Sequence, residues 1–216
     1  MKLGVSSGVL SRRLTKAVIF LLALVPLALL VRAALTNNLG ANPAEAIQLT
    51  TGRWAFRFLL LTLAITPARR LTHWNILIQY RRMLGLFAFF YATCHFAAYW
   101  AFDLNFAFAA MLGDVRKRPF ITMGFTAFLL MVPLALTSTK GWIRRLGRKW
   151  TQLHRLVYIS AICAAIHFAW KVKVFTGDPV LYAALVVVLL GFRVVWSLRT
   201  NLEPRTRTRP NSALNP

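Results

Sequence analysis

The feature that most limits what this chain can become is its alternation of long apolar runs with short clusters of arginine and lysine. Six runs approach the length needed to cross about 30 Å of hydrocarbon: residues 16–31, 51–66, 83–102, 120–136, 152–170 and 180–196. Of the 216 residues 58% are hydrophobic and only 15% charged, against roughly 25% charged in an ordinary soluble domain. A soluble fold of this size has one core and nowhere else to hide apolar surface, so lipid is the required solvent. The expectation is an all-α polytopic membrane protein with six transmembrane helices. They form one unit over residues 16–198, between a cytoplasmic N-terminus, 1–15, and a basic disordered tail, 199–216.

The formal net charge of +22 raises the question of nucleic acid, but placement argues against it. The cations stand between apolar runs: Arg12, Arg13 and Lys16; Arg69 and Arg70; Arg81 and Arg82; Arg144, Arg145, Arg148 and Lys149. That is the pattern of topology-setting segments facing anionic lipid. With the N-terminus inside, inner segments carry seventeen cations and outer segments eight, counting Arg53 and Arg57 as outer. Both termini are therefore expected in the cytoplasm, in a bacterial inner membrane. A basic segment ahead of residues 16–31 also permits a cleaved signal peptide; the indifferent cleavage site Arg32-Ala33-Ala34 favours a retained helix. Residues 37–43 read as turns. After Ser138, the residues Trp142, Leu146, Trp150 and Leu153 recur at helical spacing, as in an amphipathic helix on the membrane surface or a frayed basic connector. No internal repeat is apparent.

Three of the four histidines fall within spans: His95 in the third, His154 and His167 in the fifth. Such side chains are costly at membrane depth and mark functional sites by default. A satisfied core histidine is the plain alternative for one of them, less so for three on two helices. His95 stands seven residues and His167 three residues before the outer ends of their runs, so both can share one level in the outer leaflet. Facing imidazoles at one level are a way to hold haem iron axially. Phe96, Tyr99, Trp100, Phe168 and Trp170 are candidates to wall a porphyrin, or belt residues. His154, about 20 Å deeper by helical rise, points about 140° away from His167 on an ideal helix. Its partner in an inner haem is missing, since Arg81 stands fourteen residues before His95. His73, beside Trp74, reads as an interfacial residue.

Other metals fit poorly. Zinc or copper would want a tighter group of cysteine, carboxylate and histidine. Cys94 and Cys163 form no framework, and no Cys-x-x-Cys-His occurs, so covalent c-type haem attachment is excluded by the usual motif. Cys163, one turn before His167, reads as a small hydrophobe able to approach a cofactor. No carboxylate lies well inside a span to serve a proton relay. Arg53 and Arg57 suit either haem propionates or lipid headgroups.

These features resemble the ferric-reductase-like transmembrane domain shared with NADPH-oxidase membrane cores. More narrowly, the chain resembles the MsrQ (YedZ) family of haem-binding membrane subunits. The likeness runs through Leu39-Gly40-Ala41-Asn42-Pro43, Thr51-Gly52-Arg53, Ile65-Thr66-Pro67 and Arg81-Arg82-Met83-Leu84-Gly85-Leu86. It continues in Ala92-Thr93-Cys94-His95, Arg118-Pro119-Phe120, Leu136-Thr137-Ser138-Thr139, Gln152-Leu153-His154-Arg155-Leu156-Val157-Tyr158 and Ile166-His167. The resemblance implies a ferric-reductase-like bundle and an electron-transfer subunit, not an enzyme acting alone. It implies b-type haem on His95 and His167, with His154 a third position, and an associated flavin mononucleotide (FMN). Electrons would come from the quinone pool or a cytosolic flavin reductase. They would go to a periplasmic molybdopterin methionine sulfoxide reductase subunit, forming a heterodimer that repairs oxidised proteins. Two rivals are a stand-alone membrane ferric reductase, and a haemless transporter or assembly factor with core histidines.

Overall fold

The computed structural model describes residues 7–171 and 178–202, which form helices and the turns between them. The helices are α1 (Ser7–Leu35), α2 (Pro43–Thr72), α3 (Ile78–Phe102), α4 (Phe108–Lys117), α5 (Pro119–Leu136), α6 (Lys140–Leu146), α7 (Arg148–Leu153), α8 (Leu156–Lys171) and α9 (Asp178–Leu202). A single 3-10 turn, Asn75–Leu77, leads into α3. Five segments are long and apolar enough to cross a membrane: Leu10–Leu35, Asn75–Phe102, Pro119–Leu136, Arg148–Lys171 and Asp178–Arg199. The chain is an all-α, multi-pass membrane protein. Its outward side chains agree, with Leu21 and Leu22 each 63% and Val187 70% exposed, which only lipid makes tolerable.

The run at residues 51–66 proves to be the middle of a much longer helix. Asn42 caps the start of α2: its carbonyl oxygen accepts from the Glu45 amide, and its Nδ2 donates to the Glu45 carboxylate. Pro43 occupies the first helical position, where its missing N–H costs nothing. The helix runs through Pro67 and stops where His73 takes a left-handed conformation, φ 59°. Its 30 residues would span about 45 Å. Arg53, Arg57, Arg69 and Arg70 interrupt its apolar character, so composition alone does not class it with the other five.

Helix α2 is the centre of the bundle, contacting α1, α3, α8 and α9. Phe56, Phe58, Leu59, Leu60 and Leu63 are all buried there. Phe58 stacks on Phe87 and Tyr91 of α3. Helix α1 is joined to this core through Tyr91, whose hydroxyl donates to the Ala23 carbonyl and accepts from the Leu27 amide. It thereby bridges the two ends of one helical rung beside Pro26, a position where side-chain insertion and proline both bend helices.

Further readings are corrected. The amphipathic stretch after Ser138 is two short helices, because Gly147 adopts φ 50° and separates α6 from α7. The run 152–170 is not one helix either: α7 ends at Leu153, capped by His154, and α8 starts at Leu156. His154 and His167 therefore do not share a helix, and the ideal-helix angle between them does not apply. The loop between the third and fourth runs holds an unforeseen helix, α4, with Met111 buried and Phe108 and Leu112 exposed. At the other end, α9 continues to Leu202, into the expected tail, while residues 203–216 and 1–6 lie outside the described residues.

Candidate functional site

Helices α2, α3, α5 and α8 enclose a cavity into which His95 and His167 both face. Their ring centroids are 6.1 Å apart, with planes at 71°. The Nδ1–H of His95 donates to the Gln48 carbonyl at 2.9 Å, and that of His167 to the Phe120 carbonyl at 2.7 Å. A carbonyl only accepts, so each ring is held in the tautomer that leaves Nε2 with its lone pair. Glycine at the facing position lets each ring lie close to its neighbouring helix, α2 for His95 and α5 for His167. A Cβ on Gly52 would stand 3.0 Å from His95 Nδ1, and one on Gly124 only 2.7 Å from His167 Nδ1.

These contacts occur twice at a constant offset. His95 bonds to a carbonyl 47 residues earlier and so does His167. Advancing Gln48, Gly52 and His95 by 72 positions gives Phe120, Gly124 and His167. The same step relates Ala55 to Ala127, Phe56 to Phe128, Ala92 to Ala164 and Phe96 to Phe168, all of which line the cavity. The α2–α3 hairpin and the α5–α8 hairpin are thus two copies of one half-site, a self-similarity that marks duplicated architecture. This corrects the reading that the chain has no internal repeat. The repeat is clearest at cavity-facing positions, while most of the residues between them differ.

The arrangement suits a metal that brings most of its own ligands. Two metal–nitrogen bonds of about 2.0–2.1 Å each leave imidazole centres roughly 6 Å apart, close to the spacing here. Among the described residues no group of three or more histidine, cysteine or carboxylate side chains could hold a bare ion. His95 and His167, facing each other across an apolar slot, would be the residues to hold an iron already carried by a macrocycle, which would supply one-electron chemistry. The walls are largely aromatic. Phe96 stacks on Phe128 at 5.0 Å, and Phe56 on Tyr182 at 5.4 Å.

The other singled-out residues divide. Phe96, Tyr99 and Phe168 line the cavity, whereas Trp100, Trp170, Cys94 and Cys163 do not. Arg53 lines it too; Arg57 instead donates from Nε to the Tyr182 hydroxyl at 2.7 Å and sits over Trp54. His154 is not brought to the pair. It stacks on Trp150 with centroids 3.8 Å apart, its Nδ1 bonds to the Trp150 carbonyl, and its Nε2 is buried without a hydrogen-bond partner. His73 is exposed at the end of α2. Gln48, Gly124, Met111 and Tyr182 were missed, Gly52 and Phe120 were named only within family motifs, and the 72-residue step relates Gln48 to Phe120 and Gly52 to Gly124.

The chain is similar to one described family and to several named proteins. Residues 51–165 match the family described as ferric reductase like transmembrane component; Gln48 and His167 fall just outside that range. The chain is 51% identical over 188 residues to the protein-methionine-sulfoxide reductase heme-binding subunit MsrQ of Herminiimonas arsenicoxydans, covering 85% of this chain and 86% of that protein. It is 47% identical over 204 residues to the like-named subunit of Xanthomonas oryzae pv. oryzae strain MAFF 311018, covering 92% and 94%. With that of Xanthomonas campestris pv. campestris strain 8004 it shares 50% identity over 181 residues, 84% and 81%. No solved structure matches the chain.

Proposed function

The chain belongs to the MsrQ family of protein-methionine-sulfoxide reductase heme-binding subunits, and we propose that it holds b-type haem between His95 and His167 to pass electrons across a bacterial inner membrane. The observation that carries this reading is the pair of rings 6.1 Å apart, each bonded through Nδ1 to a backbone carbonyl. Haem, when bound, supplies reversible one-electron chemistry at iron. The chain's own part is orientation and tuning. The two carbonyls fix ring angle and tautomer and raise the basicity of Nε2. The glycines admit the rings, and the paired phenylalanines keep water from the slot.

In this proposal α2 is the sixth crossing. Its apolar middle is covered by α1, α3, α8 and α9, and Arg57 is satisfied by Tyr182 rather than left to lipid. Both termini are cytoplasmic by the charge count, and the haem end faces the periplasm. Electrons enter from the quinone pool or a cytosolic flavin donor. They leave to a periplasmic molybdopterin subunit that reduces methionine sulfoxide, the chain being the transfer subunit of that pair. His154 belongs to the proposal as a third ligand position, on the strength of its anchored Nδ1 and unpartnered Nε2. FMN belongs to it by resemblance alone.

The test is an optical and electron-paramagnetic spectrum of the purified, haem-replete protein beside three variants. His95→Ala and His167→Ala are each expected to lose nearly all of the low-spin signal from this site, while His154→Ala keeps it. An unchanged signal in either of the first two would reject the ligand assignment.

A further inference from the structure

The cavity changes character along its depth. Its deep end is made of Leu59, Ala92, Met131 and Ala164, without a charged group. Every charged lining residue sits at the other end: Glu45, Arg53, Asp103, Arg118 and Lys171. Each helix repeats the gradient, from Arg53 down to Leu59 on α2 and from Lys171 down to Ala164 on α8.

The carboxylates at this mouth are already engaged. Glu45 closes the α2 cap with Asn42, and Asp103 accepts from Gln48 Nε2 at 2.9 Å. Asp114, just outside, accepts from the Tyr99 hydroxyl and makes a long 3.4 Å contact with Arg118. Arg53 and Lys171, in contrast, have no hydrogen bond or ion pair with any described residue. Both stand where the two half-sites differ, Arg53 against Phe125 and Lys171 against Tyr99. The duplicated part of the pocket is apolar and two-fold, and its cations come from departures from the repeat and from the connecting segment that carries Arg118.

We infer that Arg53, Arg118 and Lys171 form an anion seat for the two propionates of the haem, which therefore enters with its carboxylate edge at the mouth and its apolar edge against Leu59 and Met131. The inference rests on the haem reading above. Three cations converging on two carboxylates make charge-assisted contacts, and an apolar floor without a donor would leave inverted propionates unpaired.

The experiment loads haem-depleted full-length protein in detergent with haem b or with its dimethyl ester, which has the same ring and iron but no propionate charge. Wild-type protein is expected to bind the free acid about tenfold or more tightly than the ester, as for contacts to charged groups. In the triple variant Arg53→Gln, Arg118→Gln, Lys171→Gln the two affinities are expected to converge. Arg118→Lys alone keeps the preference. In haem-replete protein each single glutamine variant is expected to lower the midpoint potential, since a nearby cation favours the reduced iron. Equal affinities in wild type, or a preference that survives in the triple variant, would overturn the anion seat and leave these residues as headgroup contacts. If wild-type protein gives no bis-imidazole signal with either compound, the haem reading itself fails, which the other outcomes do not imply.

Discussion

The two hairpins build the same half-site but embed it differently. In the α2–α3 copy the helices are the bundle's core: Phe58, Leu60, Leu63, Phe87 and Tyr91 are buried, and α1 is joined on through Tyr91. In the α5–α8 copy fewer side chains are buried, and the two helices are tied instead by Ser160, fully buried, donating to the Ala127 carbonyl at 2.9 Å. The positions equivalent to that pair in the first copy are Ala88, also fully buried, and Ala55. One copy relies on close packing under neighbours, the other on a hydrogen bond and a tighter glycine. A repeat can keep the atoms that meet a ligand while its two surroundings diverge.

The contrast can be broken at four positions. The largest effect is expected from Gly124→Ala, because a Cβ there would meet three atoms of the His167 ring at 2.7 to 3.0 Å. That ring is backed by the Phe120 carbonyl and cannot simply rotate away. Haem occupancy, read from absorbance per protein, should fall several-fold further than in Gly52→Ala, where the same contacts are 3.0 to 3.5 Å. The reverse order would show that the second half-site is not the tighter one. Next comes Tyr91→Phe, which removes the bridge to α1 at Ala23 and Leu27 and should cost about 1–2 kcal/mol in detergent unfolding. An unchanged midpoint would mean that packing alone retains α1. The smallest is Ser160→Ala, which gives the second copy the first copy's residue. It should cost about 0.6 kcal/mol, the typical value for a hydrogen bond between membrane helices, with no change in the haem spectrum; a spectral shift would tie Ser160 to the site.

Much of this was legible before the structure. Apolar runs punctuated by arginine located five crossing segments, and residue counts along the third and fifth runs brought His95 and His167 to one height. The failures have physical causes. The full length of α2 was hidden because Pro67 reads as a stop and the flanking arginines as loop, whereas the helix carries the proline inside it and seats Arg57 on Tyr182 and Arg70 over Trp196. The break at His154 follows no glycine or proline, so apolar periodicity ran through it. Helix α4 is ten residues, too short to cross a membrane, so a reading based on long apolar runs passed over it. The repeat escaped because a ligand constrains one face of a helix and lipid constrains only the polarity of the rest.

The two backbone carbonyls that receive the histidine Nδ1–H groups have a further consequence. A carboxylate in that place could take up or give back a proton as the charge between the rings changed, and a water could turn. A peptide oxygen held in the first turns of a helix does neither. A redox centre clamped this way would exchange its electron without a partner proton and with little rearrangement around it, so its ligands would add no pH slope to its potential.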